Sequence, residues 1–206
     1  MPKQKFFNLR IKKQRRILEA MGEEFLKGSY AQFTVSGFIR EAGISRASFY
    51  TYFNSKEDAL SCMFKTMAMD AEEMLADTIR RGRGRFENGM ERLFWFLIKT
   101  EVGRKYHLMY RRVLEDEGCR SVSEQIEREY YREENWRRRG RNCLEALDRL
   151  RYSHLDETGM ACAVDMGITI VHKAVMLHID RQAGFKELWE TVRIQLSILE
   201  QGIRNQ

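Results

Sequence analysis

The side chains with the clearest chemistry are hydrogen-bond donors gathered in one short stretch, residues 43–60, which reads GISRASFYTYFNSKEDAL. Arg46, Ser48, Tyr50 and Lys56 offer a guanidinium, two hydroxyls and an ammonium close together in the sequence. Such groups donate hydrogen bonds to phosphate oxygens and to the base edges exposed in a DNA groove. They can act together only if the fold places them on one surface, so the elements that carry them come next.

The residues around this stretch predict two short helices joined by a tight turn. Thr34 is a natural N-cap for the first helix, which Gly43 ends after about two turns. Ser45 caps the second helix, residues 46–52, and the small Ala47 on its first turn lets the helix N-terminus approach the floor of a major groove. This order of elements is typical of a helix-turn-helix.

The four aromatic residues of this region are expected to serve two purposes. Phe49 and Phe53 are four positions apart, so they share a face and should pack under the second helix. Tyr50 and Tyr52 lie on other faces, where their hydroxyls can reach phosphate oxygens. The alternative is that all four rings belong to the core, which is less natural for tyrosine because a buried phenol needs a hydrogen-bond partner.

A further helix start follows at Ser55–Asp58, whose residue order resembles a capping box, and it begins a helix over residues 56–80. Lys56 then stands at a helix N-terminus, where the free N–H groups and the helix dipole favour an anion. A lysine there is unfavourable unless a negative group lies beside it. A DNA phosphate would meet that requirement.

Composition and charge favour a helical chain with a basic N-terminal part. Pro2 is the only proline, and Met, Leu, Glu, Arg and Ala are abundant, which predicts an all-α fold. Residues 1–56 contain eleven Lys or Arg against four acids, a charge of +7, so the rest of this +6 chain sums to −1. This distribution suggests a footprint for a polyanion, although charge alone would equally describe a soluble basic domain.

The sequence predicts no cofactor, no metal site and no catalytic site. Cys62, Cys119, Cys143 and Cys162 are widely separated without a C-x-x-C pair, so reduced, mostly buried thiols are expected. His172 has no Cys or His partner at a metal-binding spacing. No nucleophile elbow, phosphate loop or paired-carboxylate arrangement rises above chance, which argues against an enzyme.

The expected location is the cytoplasm, without a membrane partner. The N-terminal KQKFFNLRIKKQRR lacks the apolar region and cleavage site of a signal peptide. The most apolar stretch, residues 160–179, is interrupted by Asp165 and Lys173, which makes it a poor membrane span.

Two apolar helices near the end of the chain, residues 156–180 and 185–204, suggest a homodimer. The first is apolar nearly all round, and the second has near-heptad spacing. Such a pair can supply half of an intermolecular four-helix bundle, with wholly intramolecular packing as the alternative. The candidate interface residues are Val164, Ile168, Val171, Val175, Trp189, Val192, Leu196 and Leu199.

Residues 13–60 resemble the DNA-binding domain of the TetR (tetracycline-repressor-like) family of bacterial transcription regulators. The resemblance implies an N-terminal three-helix helix-turn-helix DNA-binding domain, residues 1–58, and a C-terminal helical ligand-binding and dimerisation domain, residues 59–206. The sequence departs from the family at Ser36-Gly37, where an arginine–acid pair is common, and at Ile39, where alanine is usual. The most diagnostic matches are Thr34-Val35, Ala42-Gly43-Ile44-Ser45, Phe49-Tyr50, Tyr52-Phe53 and Ser55-Lys56-Glu57.

The resemblance also implies roles for individual residues. Thr34 and Lys56 match positions that hold phosphates from the N-termini of two helices, and Ser36 should give a weaker phosphate contact. Residues 46–48 match the start of the recognition helix, which reads bases, and the two tyrosines match positions that contact the DNA backbone. The expected DNA-binding residues are Thr34, Ser36, Arg46, Ala47, Ser48, Tyr50, Thr51, Tyr52 and Lys56.

Members of this family typically bind palindromic operators as homodimers and release them when a small molecule enters the C-terminal domain. The resemblance therefore predicts a ligand-responsive regulator, a repressor, with a largely apolar or aromatic effector. The motivation for that effector class is a set of aromatic and Met side chains with a few polar tips, although each of them alone is more often a core residue at such helical spacing. These candidate pocket residues are Met67, Trp95, Tyr106, Tyr110, His172 and Met176. The alternative is a TetR-fold DNA-binding protein without an inducer that acts through a protein partner.

Overall fold

A computed structural model describes residues 2–204, and every regular element within that range is helical, which confirms the predicted all-α fold. A 3₁₀ turn at Glu117–Cys119 separates the seventh and eighth α-helices. The α-helices are α1 (Gln4–Phe7), α2 (Ile11–Leu26), α3 (Val35–Ala42), α4 (Arg46–Tyr52), α5 (Lys56–Arg81), α6 (Phe86–Lys99), α7 (Glu101–Glu115), α8 (Arg120–Tyr130), α9 (Glu133–Leu144), α10 (Glu157–Ile179) and α11 (Phe185–Ile203).

The chain divides into two compact units: Met1–Met69 with Lys105–Glu129, and Asp70–Arg104 with Tyr130–Gln206. The predicted domain boundary after residue 58 falls in the first turn of α5. That helix contributes residues to both units, as do α7 and, by its last residue, α8.

The helix-turn-helix in the first unit is built by the caps that the sequence predicts. The Thr34 hydroxyl accepts a hydrogen bond from the Gly37 N–H at 3.0 Å and starts α3. Gly43 ends α3 with φ of 64°, a left-handed conformation that glycine adopts without a Cβ penalty. The Ser45 hydroxyl then accepts from the Ser48 N–H at 3.0 Å and starts α4.

The aromatic core of the first unit holds α4 against α2 and α3. Phe49 and Phe53 are fully buried, which confirms the sequence-based assignment of both rings to the core. The Phe49 ring meets the Phe38 ring edge-on at 5.7 Å between centroids, and Phe25 lies in the same core. Each fully buried phenylalanine stabilises the fold by about 2–3 kcal/mol through the apolar area it removes from water.

The four-residue helix α1 was not anticipated from the sequence, because so short an element shows no hydrophobic period. Its Phe6 is 1% exposed and lies 4.9 Å from Phe53 between ring centroids. The Lys3 N–H donates to the Tyr52 carbonyl at 2.8 Å, and the Lys3 ammonium donates to the Tyr50 carbonyl at 2.6 Å. These bonds satisfy carbonyls at the C-terminal end of α4, which its own helix leaves without partners.

The second unit is organised around α10, which packs against α6, α9 and α11. Small residues permit the close approaches: a Cβ on Gly140 of α9 would lie 1.8 Å from the Glu157 carbonyl oxygen, and one on Gly167 would lie 2.9 Å from Met90. By length and composition alone, α10 is apolar enough to cross a membrane. Its residues Met160 and Val171, however, are fully buried by the chain itself, as in the central helix of a soluble core.

Candidate nucleic-acid interface

The first turn of α4 presents an exposed guanidinium beside a hydroxyl from α3. Arg46, Ala47 and Ser36 are exposed, and the Arg46 Nη1 donates to the Ser36 hydroxyl at 3.3 Å. Thr34, at the start of α3, is also exposed. The structure therefore brings Arg46 and Ser36 together from two helices, and it leaves Ala47 and Thr34 exposed.

Two smaller hydroxyls of α4 are half-buried and already engaged. The Ser48 and Ser45 hydroxyl oxygens lie 2.9 Å apart, which fixes the Ser48 side chain at the helix N-terminus. The Thr51 hydroxyl donates to the Ala47 carbonyl at 2.9 Å, so its oxygen is left to act as an acceptor. Both hydroxyls are therefore held by contacts within α4 or with its N-cap.

The two tyrosines of α4 have different environments. Tyr50 is 45% exposed, as expected for a side chain that contacts DNA. Tyr52, by contrast, is only 8% exposed, with its ring edge-on to Phe6 at 6.2 Å and to Phe53 at 6.4 Å. The expectation that Tyr52 points outward is therefore corrected: α1, which the sequence did not predict, covers its ring.

Lys56 at the start of α5 has partners inside the protein. Its ammonium nitrogen lies 3.3 Å from the Tyr30 carbonyl oxygen, 3.4 Å from that of Phe33, and 3.9 Å from the centre of the Tyr30 ring. Two carbonyl dipoles and a cation–π contact thus compensate a charge for which the sequence argument required an external anion. Tyr30 was missed because no local spacing connects it with a residue twenty-six positions further along the chain.

The Tyr30 hydroxyl also donates a very short hydrogen bond to Glu57, the residue after Lys56. Burial works to raise the pKa of Glu57, but hydrogen bonds from Tyr30 and Ser55 outweigh it and hold that pKa below its usual value. Burial, followed by the bond to Glu57, raises the pKa of Tyr30. Glu57 is therefore a carboxylate and Tyr30 a neutral phenol near neutral pH, and both stay fixed beside Lys56.

A basic groove borders the helix-turn-helix on the side of α2. Its volume is about 350 Å³, and it opens where the first turns of α2 meet the turn between α3 and α4. Lys27, the residue that follows the end of α2, is neutralised by Glu24 at 2.9 Å and Glu41 at 2.6 Å, so the positive charge concentrates at the helix start. The groove is lined by Arg10, Lys12, Lys13, Arg16, Ile17, Ala42, Gly43 and Ile44.

The six residues predicted to line an effector pocket are all half-buried, and they divide between the two units. Met67, Tyr106 and Tyr110 belong to the first unit, where Met67 packs against the hydrophobic core. The other three, Trp95, His172 and Met176, belong to the second unit. The structure brings Trp95 together with a residue predicted for the dimer interface: the ring centroids of Trp95 and Trp189 are 5.2 Å apart.

Five residues predicted for the dimer interface lie instead in the core of one chain. Their relative exposure is zero because α6, α9, α10 and α11 of the same chain cover them; they are Val164, Val171, Val175, Val192 and Leu196. Ile168, Trp189 and Leu199 are half-buried. The apolar side chains that these two helices expose are Met166, Ile194 and Ile198, at 48%, 62% and 65%. Because α10 is apolar on nearly every side, its sequence pattern did not show which residues face the core of the chain and which face solvent.

The cysteines match the expectation of reduced, mostly buried thiols. Cys62, Cys119 and Cys143 are buried, and burial raises their pKa to about 11, 11 and 12 respectively. Cys162 is a free thiol on the exposed side of α10. Within residues 2–204, no three His, Cys, Asp or Glu side chains are arranged to hold a metal ion.

Two capped helices with a left-handed glycine between them, and exposed donors on the second, define a helix-turn-helix DNA-binding protein. Residues 17–60 match the family model of bacterial regulatory proteins of the tetR family. The N-terminal part of the chain is therefore similar to the DNA-binding domain of TetR family transcription regulators.

Comparison with individual proteins adds little to this assignment. A solved structure of a TetR family transcriptional regulator from Chloroflexus aurantiacus J-10-FL is similar over 100% of both chains, with 17% sequence identity and a TM-score of 0.49. No curated protein gives a match. The similarity to the TetR family rests on the N-terminal match, residues 17–60.

Proposed function

We propose that this chain is a ligand-responsive transcriptional repressor that binds a palindromic operator as a homodimer and releases it when a small molecule binds. The observation that carries the proposal is the exposed first turn of α4, where Arg46 lies beside Ser36. A helix N-terminus with a guanidinium and small neighbours can enter a major groove and donate to base edges. Its place of action is the cytoplasm.

In this proposal, base and phosphate contacts are divided between two sets of residues. Arg46, Ala47 and Ser48 read bases, because they occupy the first turn of α4. Thr34 and Tyr50 donate to phosphates from exposed positions on either side of that turn. The Lys56 ammonium keeps its carbonyl partners and adds a phosphate, which its three N–H donors allow.

The basic groove extends the proposed contact with the DNA backbone. Lys12 and Lys13 stand in the first turn of α2, which has no acidic residue and no side-chain cap. Each lysine or arginine that neutralises a phosphate releases a counterion, which makes affinity fall steeply with salt. These residues should therefore set the overall affinity without choosing the sequence.

The proposed dimer joins α10 and α11 of two chains. Ile194 and Ile198 are four positions apart on α11, so they form one exposed apolar stripe, and Met166 is the exposed apolar residue of α10. A two-fold axis through such a bundle would present two α4 helices to two symmetric half-sites. The proposed effector is largely apolar or aromatic, because half-buried rings such as Trp95 are available to contact it.

The test is selection of bound duplexes from a random DNA pool by the purified protein, together with light scattering. The expected result is an enriched inverted repeat bound by a dimer. Lys56→Gln should weaken binding to that repeat and to random DNA alike, whereas Lys186→Gln, which changes an exposed lysine of α11, should leave both unchanged. No enrichment, or an enriched site without two-fold symmetry bound by a monomer, would contradict the proposal.

A further inference from the structure

The second unit contains a buried arginine that its own surroundings do not satisfy. Arg139, on α9, is 2% exposed, and its Nε donates to a Glu72 carboxylate oxygen at 3.0 Å. Among the residues that the structure describes, its Nη1 has no hydrogen-bond partner. Buried guanidinium groups are normally fully paired, because an unmatched N–H loses its bonds to water without replacement.

The charges around Arg139 leave a positive excess next to the guanidinium. Glu72 is shared by two arginines, since the Arg138 Nη1 lies 2.9 Å from its second oxygen. Asp165 joins this cluster only through the Tyr130 hydroxyl, which donates to it at 3.0 Å. Two guanidinium groups thus share one carboxylate, Arg139 through a hydrogen bond and Arg138 through an ion pair, and a monoanion would supply the partner that the Arg139 Nη1 lacks within the described part of the chain.

Aromatic rings lie against the guanidinium, and they are connected by ring contacts to a ring that is exposed to solvent. The centre of the Arg139 guanidinium is 3.6 Å from the Tyr130 ring centroid and 5.5 Å from the Trp136 ring centroid. Tyr131, 60% exposed, lies 5.0 Å from Tyr130 and 5.5 Å from Trp136 between ring centroids. Flat apolar faces that lead from solvent to a cation suit a ligand with a planar body and an anionic end.

We propose that Arg139, Tyr130, Tyr131 and Trp136 form a binding site for aromatic monocarboxylates in the second unit. The ligand carboxylate accepts from the Arg139 Nη1, and the ligand ring packs among the aromatic side chains, displacing the exposed Tyr131. A carboxylate fits better than a neutral carbonyl because the guanidinium fork pairs with two coplanar oxygens and the cluster has positive charge to spare.

Ligand binding at this site does not depend on the proposed function. Only its role as the effector site of a regulator rests on that function. Glu72, the partner of Arg139, belongs to α5, which also carries Lys56 at its start. A second carboxylate on Arg139 therefore acts on the ion pair that holds this helix, whose first turn lies beside the proposed phosphate contact. None of the six pocket residues predicted from the sequence takes part.

The test measures binding without DNA, so that failure of the site is distinct from failure of the regulatory function. Calorimetry of the wild-type chain uses benzoate and phenylacetate at millimolar concentration, with benzamide and phenylacetamide as neutral controls of matched shape. The expected result is saturable binding of at least one acid, at least about tenfold tighter than its amide, because a charged hydrogen bond is lost in the amide. Equal binding of acids and amides, or no binding of either acid, would overturn the proposal.

The position of the site is tested by substitutions in α5 and α9. Removing Arg139 alone leaves Glu72 buried with one partner fewer, so the pair is replaced together as Glu72→Gln with Arg139→Met, and folding is checked by circular dichroism. Binding of the acid should fall at least about tenfold. Arg137→Gln, which changes an exposed neighbour paired with Glu133, should bind as wild type. Undiminished binding by the double variant would place the ligand elsewhere.

The fluorescence of Trp136 provides a second, independent measurement of ligand binding at the same site. The chain has three tryptophans, so Trp95→Phe with Trp189→Phe leaves Trp136 as the sole indole. Benzoate or phenylacetate should change the Trp136 fluorescence along the same saturation curve as the calorimetric titration. Binding by calorimetry without any change at Trp136 would contradict the proposed position of the ligand ring.

Discussion

Replacing Gly43 by alanine tests the turn on which the helix-turn-helix depends. The backbone φ of 64° costs an L-residue roughly 1–2 kcal/mol, because its Cβ approaches the following carbonyl oxygen. Space is not the obstacle: the nearest atom to a new Cβ would be an Arg16 Nη at 3.5 Å, an ordinary contact. Alanine also restricts the unfolded chain more than glycine does, which stabilises the folded state by about 0.4–1 kcal/mol. A net destabilisation of about 1 kcal/mol is therefore expected.

The assay is urea unfolding followed by far-UV circular dichroism, at equal protein concentration for every variant. Gly43→Asn should cost less than Gly43→Ala, because asparagine tolerates the left-handed region. Gly202→Ala is the matched control of opposite sign: it lies in α11 with open space around the new Cβ, and alanine is better than glycine in a helix by about 0.8–1 kcal/mol. The reasoning is refuted if Gly43→Ala is as stable as wild type, or if asparagine is worse than alanine.

Three further outcomes follow from the exposures of single side chains. Tyr50→Phe should weaken DNA binding severalfold through loss of a phosphate contact, whereas Tyr52→Phe should leave the affinity within about twofold because that ring is buried. Both affinities are measured by gel-shift titration. Equal losses in the two variants would contradict the different roles given to the two tyrosines. Ile194→Glu with Ile198→Glu should give folded monomers by light scattering, and a persistent dimer would place the interface elsewhere. In native protein near neutral pH, iodoacetamide should modify only Cys162, because the raised pKa of the other three thiols keeps them protonated. Modification is followed by mass spectrometry, and modification of those three thiols before Cys162 would contradict the structure.

The local elements could be predicted from the sequence because their determinants are local. Thr34, Gly43 and Ser45 act on their own or the next helix, so the predicted second helix of the helix-turn-helix, residues 46–52, has the bounds of α4. The rings of Phe49 and Phe53 follow from helical spacing for the same reason. These features also carry the family match, which spans residues 17–60.

What could not be predicted depends on contacts between distant residues. The Tyr52 ring is covered by Phe6 of α1, which lies forty-six positions earlier in the chain. No hydrophobic periodicity in the sequence predicts this contact. Likewise, the partners of Lys56 at Tyr30 and Phe33 come from a loop whose sequence shows no sign of that contact.

The second unit was harder to predict for a related reason. α10 is apolar on most of its sides, so the sequence pattern alone did not tell that Val164 faces the chain's own core while Met166 is exposed. The buried arginine cluster was also missed, because nothing in the run Arg137-Arg138-Arg139 distinguishes a buried arginine from its exposed neighbours. Its burial follows only from the packing of α9 against α10, which Gly140 permits.

The most direct test of the central claim is the base preference of Arg46→Gln, determined by the same selection from random duplexes as for the wild type. Because Arg46 is exposed in the first turn of α4, the preference should relax or change at one symmetric pair of positions in the inverted repeat. Arg149→Gln, an exposed arginine that removes the same charge outside the proposed interface, should retain the wild-type preference. An Arg46→Gln protein that selects the wild-type sequence with no change at any position would contradict sequence recognition by α4.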